Sequence, residues 1–282
     1  MSDDAAPFDL KISIAGMRTR LVIDGLAPEA QGLLKTWYSA FLVQPDQAGN
    51  AQTGQIRARV EPGENYVPFK PGPWQIRTAR QGERIEFESY QERGWYNLAE
   101  ERGELTLRPG GNPENYLRVI YAWRCLAREA LLVHASGVIR RGVGYVFFGP
   151  SGSGKTTVAR LSPGAQILSD DLVILQREVM PEGAAVRVYG VPFRGEMIEA
   201  ERTNASAPLA GLYALAKAPR HWLASLDHTE AAARLTACVP FVLSQPENAR
   251  RVLALCDEIT RLARVKILHF KPDADFWQVI DE

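Results

Sequence analysis

Residues 149–156 read Gly-Pro-Ser-Gly-Ser-Gly-Lys-Thr, the spacing G-x-x-x-x-G-K-T, with the apolar run "YVFF" before it and "TVAR" after it. A strand, a glycine-rich turn and a helix in that order give the pattern its meaning. Glycines at Gly149, Gly152 and Gly154 let successive backbone N–H groups curl around phosphate oxygens, and a helix start adds partial positive charge. Lys155 can neutralise β/γ-phosphate charge, and the Thr156 hydroxyl can ligate Mg²⁺. The whole stretch, with Ser151, Ser153 and Thr157 included, is therefore a candidate nucleotide-phosphate loop. The next residues able to do chemistry are Asp170 and Asp171, which follow the short apolar run "AQIL". The helix between is brief, so this run should form a strand near strand 145–149, ending at the rim where the phosphates lie. One or both carboxylates can then reach a metal or a substrate hydroxyl. The plainer alternative is a polar turn capped by Ser169 and one aspartate.

His134 is the third candidate. "LLVHASGVI" and "GVGYVFFG" read as a hairpin turned at "RRGVG". With the turn near Gly142, paired residues sum to about 283 or 284, which sets His134 opposite Gly149 or Pro150. A histidine there can bind the terminal phosphate or orient a carboxylate, although a lone histidine at a strand end is also a common core residue.

The elements that must position these groups are legible as periodicities. "DLKISIAGMRTRLVID" alternates about Gly16-Met17 as a hairpin, and "APEAQGLLKTWYSAFLV" has helical spacing, with Leu33, Leu34, Trp37, Phe41 and Leu42 on one face. "GQIRARVEPG" and residues 74–111 continue as short alternating strands, so the first 110 or so residues predict a mostly antiparallel α+β unit. Pro and Gly cluster in "RPGGNPEN", where Asn112 can cap a helix that has Pro113 at its first position. This predicts a domain division between 1–111 and 112–282. In the second part, strands are expected near "AVRVYGV", "GLYALAK" and "RVKILHF", and helices near "DHTEAAARLTACV" and "PENARRVLALCDEITRLA".

Composition narrows the partners. With 33 basic and 33 acidic residues the formal charge is zero, and no basic run exceeds a pair, which argues against a general nucleic-acid binder. Cys125, Cys238 and Cys256 are odd in number, far apart and without metal-ligand spacing, as suits buried thiols in a reducing compartment. The start "MSDDAAPFDL" is acidic and polar, and no run approaches the roughly 18 apolar residues of a bilayer crossing. The expectation is a soluble, cytoplasmic protein with no membrane partner.

"VHASGVIRRGVGYVFFGPSGSGKTT" followed by "ILSDDLVIL" resembles the catalytic domain of the HPr kinase/phosphorylase family, particularly the HPr-kinase-like proteins of peptide-modification gene clusters. The same stretch is similar, more distantly, to the phosphate loop and Asp-Asp of ATP-dependent PEP carboxykinases. The resemblance is specific over residues 131–175, and the tail "ILHFKPDADFWQVI" also looks like the ends of HPr-kinase-like chains. It implies an α/β P-loop kinase domain of the HPr kinase/PEP carboxykinase-like type behind an N-terminal α+β domain that helps select the substrate. It also implies ATP and Mg²⁺, with transfer of the γ-phosphoryl to a serine of a peptide or protein, one encoded nearby being the natural candidate. One aspartate of the pair, with Asp170 favoured, would be the catalytic base, His134 would assist at the phosphate beside Lys155, and Thr156, Asp171 and Glu196 would serve the metal. The family's second signature, a strand-loop whose glutamate and arginine complete the metal site and orient phosphate, is not found; the best substitute is "YGVPFRGE", where Arg194 and Glu196 follow a strand, with a plain exposed ion pair as the alternative. The first 110 residues do not resemble its regulatory domain either, so HPr itself is not implied as substrate. A nucleotide-binding regulatory protein that transfers nothing, and a kinase for a small molecule such as free serine, are the competing readings; a homo-oligomer is compatible with all of them.

Overall fold

Strict alternation makes β1 (Phe8–Ile14) and β2 (Met17–Asp24) a hairpin, turned by Ala15 and Gly16, both at positive φ (48° and 74°). The computed structural model describes residues 6–44, 52–68, 75–181 and 183–282. Two units make up the chain, Met1–Arg124 and Cys125–Glu282. In the first, α1 (Pro28–Trp37) is followed by β3 (Thr53–Val60), β4 (Arg77–Gln81), β5 (Arg84–Glu88), β6 (Glu92–Asn97) and β7 (Arg102–Leu107). The sheet order is β1-β2-β3-β7-β6-β5-β4. Its outer pairings are antiparallel as expected, but β2–β3 and β3–β7 are parallel. A parallel neighbour needs a crossover, and α1 lies in the one between β2 and β3. The helix is shorter than its periodicity suggested: it ends at Trp37, Ser39–Phe41 forms a 3₁₀ turn, and Leu33 is exposed while Tyr38 is buried.

Asn112 accepts the Glu114 N–H at 2.9 Å and so opens α2 (Glu114–Ala127) as expected. The domain division expected at 111/112 is corrected by what α2 touches. Tyr121 Oη donates to Met17 O at 3.1 Å, and the buried Arg124 guanidinium bonds Thr19 Oγ1 at 2.7 Å and Glu101 at 3.0 Å. These bonds tie α2 to the β1–β7 sheet, so the units divide inside the helix, between Arg124 and Cys125. The Pro/Gly cluster is a loop within the first unit.

The second unit is organised by one long strand, β8 (Ala130–Arg140). β9 (Val143–Phe148) pairs antiparallel along one edge through the expected tight turn, with Ala135 opposite Phe148. After α3 (Lys155–Arg160), β10 (Gln166–Ser169) and β11 (Leu172–Met180) also pair antiparallel with β8, one after the other, with Gly137 opposite Ser169 and His134 opposite Leu172. β12 (Gly183–Tyr189) continues beyond β11. β13 (Ser206–Lys217) then runs parallel to β9, while β14 (Trp222–Ser225) and β15 (Val265–Phe270) extend the sheet from β13, with α4 (His228–Thr236), α5 (Pro246–Leu262) and α6 (Phe276–Asp281) completing the unit. Phe147, Tyr213, Leu268 and Phe270 from the strands pack with Val158 of α3 and Phe276 and Trp277 of α6 in one buried cluster. The fold is thus mixed α/β, with six α-helices among the described residues. None of the described helices is long and apolar enough to cross a membrane.

Candidate functional site

β9 and β10 are both antiparallel to β8, so they run in the same direction on opposite sides of it. The chain therefore leaves β9 at Gly149 and β10 at Asp170 on the same rim, where β8 presents His134. The run "AQIL" is not the immediate neighbour of strand 145–149; β8 lies between them, and the shared rim arises because β8 is the common partner. The observed register sums to 283, which extends to His134 opposite Gly149.

At that rim a cleft of about 390 Å³ is lined by His134, Ser151, Gly152, Gly154, Lys155, Thr156, Thr157, Asp170, Asp171 and Glu196. Gly149 and Ser153, the other expected loop residues, are not on its wall. Ser153 is buried, with its Oγ 2.9 Å from where a Cβ on Gly149 would stand, and Gly149 faces a neighbouring cavity. Arg194 is half-buried and also off the cleft wall. Gly154 has φ +106°, and a Cβ there would meet the Phe270 ring at 2.6 Å, so only glycine lets the loop turn this tightly against β15.

Lys155 is 7 % exposed, and its ammonium donates to the carbonyls of Gly149 and Pro150 at 3.0 and 3.1 Å. Burial holds it below the ordinary lysine range, with Cys238, Asp171 and Glu196 acting in the opposite sense. The aspartates have distinct surroundings. Asp170 is 4 % exposed, accepts the Met197 N–H at 3.0 Å and lies 3.5 Å from Thr156 Oγ1. Asp171 Oδ1 is 3.2 Å from His134 Nδ1. Ser169 Oγ accepts the N–H groups of Asp171 and Leu172, each at 3.2 Å. Ser169 thus caps the turn between β10 and β11, and this same turn sends the two carboxylates to different partners.

Two lining residues escaped the sequence reading. Lys217 stands at the end of β13, the strand parallel to β9, and a cation closing an apolar strand beside the glycine-rich loop was the signal for it. Gly195 has no such local mark. Its backbone approaches so closely that a Cβ would be 2.6 Å from both Asp170 carboxylate oxygens.

The donor set fits a phosphate-bound Mg²⁺: Thr156 and Asp170 offer hard oxygens, and Lys155 and Lys217 offer positive charge. Among the described residues no three His, Cys, Asp or Glu side chains converge as a metal site. Mg²⁺ does not require such a group, because it commonly takes one or two carboxylates plus substrate phosphates and water. No protein-family model matches the chain, and no curated protein matches it.

Proposed function

We propose that the second unit is a P-loop kinase site that transfers the γ-phosphoryl of ATP to a serine hydroxyl of a peptide or protein. The observation that carries this reading is the convergence, in one cleft, of Lys155 and Thr156 with two aspartates that have separate partners. A phosphate loop alone would serve binding; a carboxylate paired to a histidine at its mouth serves proton transfer.

The loop amides and Lys155 hold the β- and γ-phosphates, the ammonium exchanging its carbonyl partners for phosphate oxygens. Thr156 and Asp170 would hold Mg²⁺, which would supply neutralisation of the phosphate charge when bound. His134 orients Asp171, whose carboxylate takes the proton of the acceptor hydroxyl. The γ-phosphorus breaks its bond to the bridging oxygen, which leaves with ADP, and gains the bond to serine Oγ. Lys217 adds positive charge at the same rim. This division of labour reverses the preference for Asp170 as base, because Asp170 is the carboxylate beside the metal-binding hydroxyl.

The test is transfer from labelled ATP to serine peptides, with free serine and serine-free peptides as controls. Asp171→Asn should lower transfer by about 10²- to 10⁴-fold with nucleotide affinity retained. Asp170→Asn should instead raise the Mg²⁺ requirement. A wild-type protein that binds Mg-ATP but transfers to no acceptor would refute the kinase reading and favour a regulatory nucleotide-binding protein.

A further inference from the structure

Next to the phosphate cleft, and sharing His134 and Ser151 with it, lies a second cavity of about 660 Å³. Its wall is mostly apolar, with Ala214 and Leu215 of β13 and Val239 and Pro240 of the segment that follows α4 lining it. That segment is fixed to β8, since His134 N–H donates to Cys238 O at 2.7 Å. Arg234 also lines the cavity, and its charge is matched by Glu230 one turn away on α4.

The loop indicates which end of a nucleotide the cavity adjoins. In a loop of this spacing the lysine reaches the β- and γ-phosphates while the backbone amides cradle the α- and β-phosphates. Thr156 and Thr157 line the charged cleft and not this cavity. Pro150 and Ser151, at the start of the loop, border the cavity, and the Lys155 ammonium sits on the Pro150 carbonyl. The cavity therefore opens at the terminal-phosphate end, with His134 at the boundary and its partner Asp171 on the cleft side. An acceptor must approach the γ-phosphorus from that end, opposite the leaving oxygen.

We propose that this cavity holds an apolar side chain flanking the acceptor serine, so that the substrate class is a peptide segment with a leucine-like residue beside the phosphorylated position. The proposal rests on the kinase reading above for its geometry, but binding tests it separately. Ala237 is exposed, lines the cavity and has the right-handed helical backbone of an ordinary residue, so Ala237→Trp fills the space without backbone strain.

The probes are the blocked peptides Gly-Leu-Ser-Leu-Gly and Gly-Gly-Ser-Gly-Gly. Binding to the full chain is measured by calorimetry with Mg²⁺ and a non-hydrolysable ATP analogue, and phosphorylation is measured with labelled ATP. The leucine peptide should bind at least about tenfold more tightly than the glycine peptide, from burial of one apolar side chain. Ala237→Trp should abolish that preference while leaving affinity for the ATP analogue unaltered; Ala237→Asp should do the same and guards against a misfolded tryptophan variant. Equal binding of the two peptides, or a preference that survives both substitutions, would overturn the proposal. So would loss of nucleotide affinity in a folded Ala237→Trp, which would assign the cavity to the base. Leucine-selective binding without phosphorylation keeps the cavity and rejects the kinase; phosphorylation without selectivity does the reverse.

Discussion

Gly195→Ala should disturb metal handling while sparing the phosphate loop. The new Cβ would stand 2.6 Å from Asp170 Oδ1 and Oδ2 and 2.7 Å from its Cγ, at least 0.3 Å inside the 3.0 Å that real Cβ contacts respect. The backbone at 195 needs no positive φ, so the effect comes from the clash alone. Asp170 is 4 % exposed and held by the Met197 N–H, so its carboxylate has little free space to enter. It must leave either that donor or its place beside Thr156, where 3.5 Å is already the limit of a hydrogen bond. Overpacking of this kind costs about 1–3 kcal/mol of stability. If the carboxylate is displaced by about 1 Å, transfer should fall by roughly 10²-fold. The assay is a thermal-shift titration with ATP, run over a Mg²⁺ series and again in chelator, together with the transfer rate. The expected result is an unchanged shift in chelator, a higher Mg²⁺ midpoint and slower transfer. A folded Gly195→Ala with the wild-type Mg²⁺ midpoint and rate would refute the assignment of Asp170 to the metal.

If the loop is the nucleotide site, Mg-ATP should raise the melting temperature of the wild type and Lys155→Ala should remove that gain, because the buried cation proposed to meet the β/γ-phosphates is gone; an unchanged gain would reject this loop as the nucleotide site. Gly154→Ala should both destabilise the fold and weaken ATP binding, since the residue has φ +106° and its Cβ would strike the Phe270 ring; calorimetric unfolding with and without ATP checks both. In the first unit, burial pushes the Glu92 carboxyl up to about 7 from 4.5, with Ser89 and Asn115 opposing the shift. Below pH 4.5 the group is protonated in both states; as the pH rises towards 7 only the unfolded chain ionises, so stability falls and then levels off above 7. The fall should be about 3 kcal/mol. Glu92→Gln should flatten it in urea melts between pH 4 and 8, and a wild-type slope in that variant would place its origin elsewhere.

Features readable without the fold lie within short stretches of chain. The loop is written in the spacing of Gly149, Gly154, Lys155 and Thr156, and the tight turn at Gly142 sets the β8–β9 register that brings His134 to Gly149. Turn chemistry and a side-chain period of two are local properties, so they survive without knowledge of the rest of the fold. Other features depend on the path of the sheet. β8 takes β9 on one edge and β10 and β11 on the other, and this shared template separates Asp170, beside Thr156, from Asp171, beside His134. Neighbouring aspartates carry no sequence mark of that division. Lys217 reaches the cleft because β13 runs parallel to β9, and Gly195 matters because distant backbone packs onto a buried carboxylate. The same limit misled the domain division: Pro and Gly in "RPGGNPEN" report a turn, whereas membership of a unit follows from the bonds of Tyr121 to Met17 and of Arg124 to Thr19, each about a hundred residues away along the chain. Close approach between remote segments is set by how layers stack, and no local pattern encodes it.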